Sequence, residues 1–75
     1  MVHKILPRPS FLDTCIPVMV VGKRKVWRSP DGKRQYTWDS LHGEIEVFNK
    51  QGRHLGAADA ISGEFIKPAV KGRKL

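Results

Sequence analysis

The chain has 75 residues, with 14 Lys and Arg against 7 Asp and Glu, a net charge of +7 and a pI near 10.1. A chain this short makes one domain: at roughly 60 residues only about 60% of the unfolded surface is buried, which leaves room for one thin core and one site and excludes a deep substrate-enclosing cleft. The single cysteine, Cys15, excludes an internal disulfide, and the positive balance points first to nucleic acid, with an anionic membrane surface, an acidic protein or plain solubility as the other readings.

Residues 1–21 hold Pro7, Pro9 and Pro17 and little charge. They read as an N-terminal extension or linker remnant, and residues 22–75 as the functional domain. Ser10 is placed to cap a short turn of helix through Phe11, Leu12 and Asp13. The apolar run from Cys15 to Val21 is too short to span a bilayer, so no membrane-spanning segment is expected. Pro17 interrupts the run and Gly22-Lys23-Arg24-Lys25 follows it, which argues against a signal peptide. Cys15 in that setting reads as packing rather than as a reactive thiol.

From Lys23 onward the chain reads as a meander of short strands. Lys25 to Arg28 is one, and Ser29-Pro30-Asp31-Gly32 is a turn. Lys33 to Trp38 alternates, with Tyr36 and Trp38 on one face. Glu44 to Phe48 alternates again, with Ile45 and Val47 facing a core. Asn49-Lys50-Gln51-Gly52 turns, Arg53 to Ala58 is another strand, Ile61 to Glu64 turns, and Phe65 to Lys67 is the last strand. Turn signals every ten residues or so predict a mainly β domain: a small, highly twisted antiparallel sheet or small barrel with a short N-terminal helix or turn.

Among the 7 acidic residues, Asp39, Glu44 and Glu46 fall within one window that also holds His42 and has no Lys or Arg. Cations flank it on both sides. A protein that only grips phosphates gains nothing from carboxylates inside its basic surface. A nuclease needs a base for the ribose 2′-hydroxyl and an acid for the leaving 5′-oxygen, and Glu and His suit both tasks. If residues 42–48 are extended, His42, Glu44 and Glu46 share one exposed face, and Asp39 reaches His42 over the intervening turn. A carboxylate beside an imidazole fixes its tautomer and favours its charged form. By residue type alone three readings stand: a catalytic cluster, a solvated face paired with lysines, or a metal site, the last without any metal signature. Lys23, Arg24, Lys25, Arg28, Lys33 and Arg34 are candidates for gripping RNA phosphates. Trp27, Tyr36, Trp38 and Phe48 are candidates for stacking bases, with core duty expected for at least two of them.

The stretch Tyr36-Thr37-Trp38-Asp39-Ser40-Leu41-His42-Gly43-Glu44-Ile45-Glu46 resembles the active-site stretch of the cytotoxic ribonuclease domain of cloacin and the ribosome-inactivating colicins. Gly22 to Trp27, Asp31 to Arg34 and Gly52 to Gly56 are similar too, so the resemblance covers about residues 22–75. A contact-dependent growth-inhibition toxin tip fits equally well as the parent protein.

The resemblance implies a twisted antiparallel sheet and an endoribonuclease that needs no metal or other cofactor. It would cut 16S ribosomal RNA once, in the decoding centre of the 30S subunit or 70S ribosome, leaving a cyclic phosphate and stopping translation. The family's catalytic residues fall on Asp39, His42, Glu46 and Arg73, and its supporting residues on Tyr36, Glu44, His54 and Lys67. The order of acid and base between His42 and Glu46 stays open. An acidic immunity protein is the implied partner. The domain would be delivered as part of a larger secreted toxin and act in the target-cell cytoplasm. A non-catalytic basic RNA-binding module is the alternative function, and a protein-interaction domain whose charge only confers solubility is a further one.

Overall fold

The computed structural model describes residues 3–75; Met1 and Val2, the first residues of the expected 1–21 extension, lie outside the described residues. A short 3-10 turn, Phe11–Thr14, precedes six strands: β1 (Ile16–Val21), β2 (Arg24–Arg28), β3 (Arg34–Asp39), β4 (Glu44–Asn49), β5 (His54–Ala58) and β6 (Phe65–Pro68). They follow one another across a single sheet in chain order, each antiparallel to its neighbour. β1 and β6 are the two edges, so the sheet is open and not a closed barrel.

The connections form where the side chains supply local acceptors. Ser10 caps the 3-10 turn: its Oγ accepts the Leu12 amide at 3.2 Å, and the Asp13 carboxylate accepts the Ser10 amide at 2.9 Å. This reciprocal capping satisfies N–H groups that no helix carbonyl reaches. At the β2–β3 turn, Asp31 accepts from the Ser29 hydroxyl at 2.6 Å and the Lys33 amide at 3.0 Å. At the β4–β5 turn, Asn49 Oδ1 accepts the amides of Gln51 and Arg53 at 3.0 and 2.9 Å.

Residues directly opposed in an antiparallel ladder share a face. One face carries Trp27, Tyr36 and Val47 in line, with Trp38, Ile45 and Ala58 beside them. This is the hydrophobic core, and Leu12, 2% exposed, closes it from the N-terminal side. Phe11 meets the Tyr36 ring edge-on, with centroids 5.6 Å apart, and Leu6 and Cys15 pack around them. Burial pushes the Cys15 thiol up, against a smaller opposing effect from the Thr14 hydroxyl, which agrees with a packing role. The division expected at residue 22 falls inside the β1–β2 hairpin, and the segment before it supplies both an edge strand and part of the core.

The opposite face carries Val26, Thr37, Glu46 and Ala57 in line, with Phe48 opposed to His54 past a bulge. It too is covered. The C-terminal segment runs back across it: His54 donates its amide to the Arg73 carbonyl at 3.1 Å, Leu75 donates to the Gly52 carbonyl at 2.8 Å, and Lys74 bridges Arg53. β4 is therefore buried on both faces from Glu44 to Phe48.

Candidate active site

The site is assembled from two hydrogen-bonded clusters. The first is the β3–β4 turn. Asp39 ends β3 and its Oδ1 accepts the amides of Leu41 and His42 at 3.0 and 3.2 Å. The Gly43 amide then closes the turn on the Asp39 carbonyl at 2.8 Å, with Gly43 at φ +69°, a conformation open to glycine at little cost. That geometry points the His42 ring back at Asp39, with Nδ1 to Oδ2 at 2.7 Å. His42 is thus held by a turn and not by an extended strand beginning at residue 42; β4 begins at Glu44. Burial pushes the Asp39 carboxyl up, but the His42 ring, the two amides and the imidazole charge outweigh it and hold Asp39 below the usual carboxylate range.

The N-terminal residues brace this turn. Lys4 donates its amide to the Ser40 carbonyl at 2.7 Å, Trp38 Nε1 donates to the Lys4 carbonyl at 2.9 Å, and His3 Nδ1 lies 3.0 Å from the Ser40 hydroxyl. No sequence signal pointed to these contacts, because they join a Pro-rich stretch without periodicity to a turn more than thirty residues away.

The second cluster centres on Glu46. Its Oε1 accepts from Arg73 Nη1 at 3.0 Å, and its Oε2 meets His54 Nε2. The His54 ring is nearly inaccessible, packs edge-on against Phe48, and accepts the Val70 amide on Nδ1 at 2.9 Å. Glu44, the other carboxylate of β4, turns to Lys67, whose Nζ lies 2.6 Å from Oε1; Oε2 is buried without a hydrogen-bond partner, as is the Thr37 hydroxyl. Glu44 and Glu46 do share one face, as the alternation predicts. That face is buried at both residues and not exposed.

A cleft of about 670 Å³ opens where the β1–β2 and β3–β4 turns lie at the same end of the sheet. Asp39, His42, Glu46 and Arg73 all line it, with Lys23, Arg24, Lys25 and Lys74 supplying positive charge around them. Trp27 and Trp38 are half-buried in its wall, and Lys25 Nζ sits 5.2 Å from the Trp27 ring centre. Tyr36 and Phe48 are buried, so among the four candidate stacking residues the two tryptophans are the ones open to a base.

The remaining expected site residues lie elsewhere. Tyr36 is on the core face against Phe11, and burial pushes its phenol up. His54 stands behind Glu46, outside the cleft wall, and Lys67 with Glu44 forms a separate pair near β6. Arg34 stacks over Phe65 on the core side, 5.2 Å from the ring centre, and Arg28 and Lys33 flank the far turn of the sheet. The basic residues of β1–β2 therefore border the cleft, whereas those around the β2–β3 turn do not. Among the described residues no three His, Cys, Asp or Glu side chains converge in a way that could hold a metal ion, and no helix is long and apolar enough to cross a membrane.

Comparison with known proteins places this arrangement. Colicin E3 of Escherichia coli is 45% identical over 47 residues, cloacin 43% and colicin E6 40%, each over 61% of this chain. The chain spans about 8% of the length of these relatives. The profile of the Cytotoxic family matches residues 13–75, a span that takes in the second half of the 3-10 turn, all six strands and both clusters of the cleft. The chain belongs to the Cytotoxic family, that of the cytotoxic ribonuclease domains of cloacin and the ribosome-inactivating colicins.

Proposed function

We propose that the chain is the endoribonuclease domain of a bacterial toxin and that it cleaves 16S ribosomal RNA in the decoding centre by general acid–base catalysis without a metal. The observation that carries this reading is that an Asp39–His42 pair and an Arg73–Glu46 pair, the latter backed by His54, open on one cleft bordered by Lys23, Arg24 and Lys25. A lone basic surface would need neither cluster.

Glu46 accepts from two donors, which hold its carboxylate at the cleft wall. It removes the ribose 2′-hydroxyl proton, and the oxygen attacks the adjacent phosphorus. The bond to the 5′-oxygen breaks, and His42 gives that oxygen a proton from Nε2, the nitrogen not paired with Asp39. The products are a 2′,3′-cyclic phosphate and a free 5′-hydroxyl. Arg73 is placed to neutralise the charge that builds on the phosphate, a contribution often larger than any other. The cations around the cleft hold the backbone on either side, and Trp27 and Trp38 offer faces to unpaired bases.

The same positive field suits an acidic immunity protein in the producing cell. The domain would arrive as part of a larger secreted toxin and work in the cytoplasm of the target cell. The test is incubation with intact ribosomes in EDTA. One discrete 16S rRNA fragment is expected from the wild type. Glu46→Gln and His42→Ala each reduce the rate by about 10²–10⁴-fold with ribosome binding nearly unchanged. Binding without a fragment would mean a non-catalytic RNA-binding module instead.

A further inference from the structure

The C-terminal segment does more than bring Arg73 to the cleft. The Val70 amide sits 2.9 Å from His54 Nδ1 in a site where the ring side chain is 1% exposed. A backbone amide can only donate, so Nδ1 must be the ring's acceptor nitrogen. In a neutral imidazole the one proton then lies on Nε2, the nitrogen that faces Glu46 Oε2. A doubly protonated ring would set two N–H groups against each other at Nδ1.

We propose that the Val70 amide fixes His54 as the neutral Nε2–H tautomer, so that His54 serves as a positioning residue that donates to Glu46 and cannot relay its proton. The role assigned to Glu46 rests on the ribonuclease reading above; the tautomer does not. With Nε2 already protonated and Nδ1 occupied, the proton that Glu46 takes from a 2′-hydroxyl has no path into the protein. It stays on Glu46 until water removes it. His54 Nε2 and Arg73 Nη1 together fix the carboxylate plane, and each carboxylate oxygen keeps a further lone pair for substrate.

The three contacts form one unit. The Arg73 amide donates to the Val70 carbonyl at 3.1 Å, and the Arg73 carbonyl accepts the His54 amide, also at 3.1 Å. A single turn of chain thus grips His54 at its backbone and at its ring, and holds the guanidinium that reaches Glu46.

The experiment is a long-range proton–nitrogen correlation spectrum of the ¹⁵N-labelled 75-residue chain near neutral pH, paired with cleavage kinetics of His54 variants. The expected spectrum shows His54 Nδ1 as an unprotonated nitrogen and Nε2 as a protonated one. A ring protonated at Nδ1, or at both nitrogens, overturns the proposal. In the kinetics, His54→Gln keeps a donor at the Nε2 position and is expected to retain about tenfold more kcat than His54→Ala, the size of one hydrogen bond, with KM alike in the two. Equal loss in both variants, with folded spectra for each, overturns the positioning role. The spectrum decides the tautomer whether or not the wild type cuts RNA; a wild type that cuts none overturns the ribonuclease reading alone.

Discussion

Leu12→Ala offers the sharpest test of how residues 11–21 belong to the fold. Leu12 is 2% exposed and packs in one cluster with Tyr36, Ile45, Val47 and Ala58. Truncating a fully buried leucine costs about 2–5 kcal/mol, depending on how far the site collapses. Here the residue sits on a short 3-10 turn at the rim of a thin core, where neighbours such as Phe11 and Leu6 can move in, so the lower part of that range applies, about 2–3 kcal/mol. A domain of this size has a total stability of about 4–11 kcal/mol, so the loss is a large share. With a urea slope of about 1 kcal/mol/M for a small domain, the midpoint should fall by about 2–3 M with the slope unchanged. Trp27 and Trp38 lie against the same core and report the transition by fluorescence. A midpoint shift under about 0.5 M, or a chain beginning at Gly22 that unfolds at the same urea concentration, would refute the reasoning.

Asp39 ionises at lower pH in the folded chain than its ordinary value of 3.8, so its contribution is present above that value and is lost as pH falls through the lower folded one; Asp39→Asn should flatten the acid limb of a stability–pH curve, measured by urea titration at several pH values. Replacing Lys23, Arg24 and Lys25 together with Gln should weaken ribosome binding and reduce its salt slope by about 0.7 for each phosphate no longer neutralised, read from binding at stepped salt; an unchanged slope would show that another surface faces the RNA. Trp38→Phe removes the hydrogen bond to the Lys4 carbonyl, worth about 1 kcal/mol, and should speed amide exchange at Lys4, whose own N–H bonds Ser40.

The strands were legible because the sequences of β3 and β4 alternate between turns that announce themselves in Pro30-Asp31-Gly32 and Asn49 to Gly52. Asp39 and His42 were legible because their contact is local. β1 was not, since Ile16–Val21 is apolar at every position and exposed at every position, so no alternation marks it. The burial of Glu44 and Glu46 was also hidden. Glu44 meets Lys67 of β6 and Glu46 meets Arg73 of the C-terminal segment, and neither partner is marked by any period in the sequence. The meeting of His54 with Glu46 rests on a bulge between Val47 and Phe48, a shift of register that spacing alone does not reveal.

The strand order has a consequence for how the molecule assembles. Every ladder joins neighbours in sequence, so each hairpin can form by closing a short loop, the fast regime for β topologies. The Asp39–His42 pair spans three residues and comes together with its hairpin, whereas the Arg73–Glu46 contact spans 27. A partly folded chain with the β3–β4 hairpin formed therefore already holds Asp39, His42 and Glu46, and gains the Arg73 guanidinium beside Glu46 only when the last residues dock. On the proposed mechanism, the guanidinium that meets charge on the phosphate is the last part of the site to arrive.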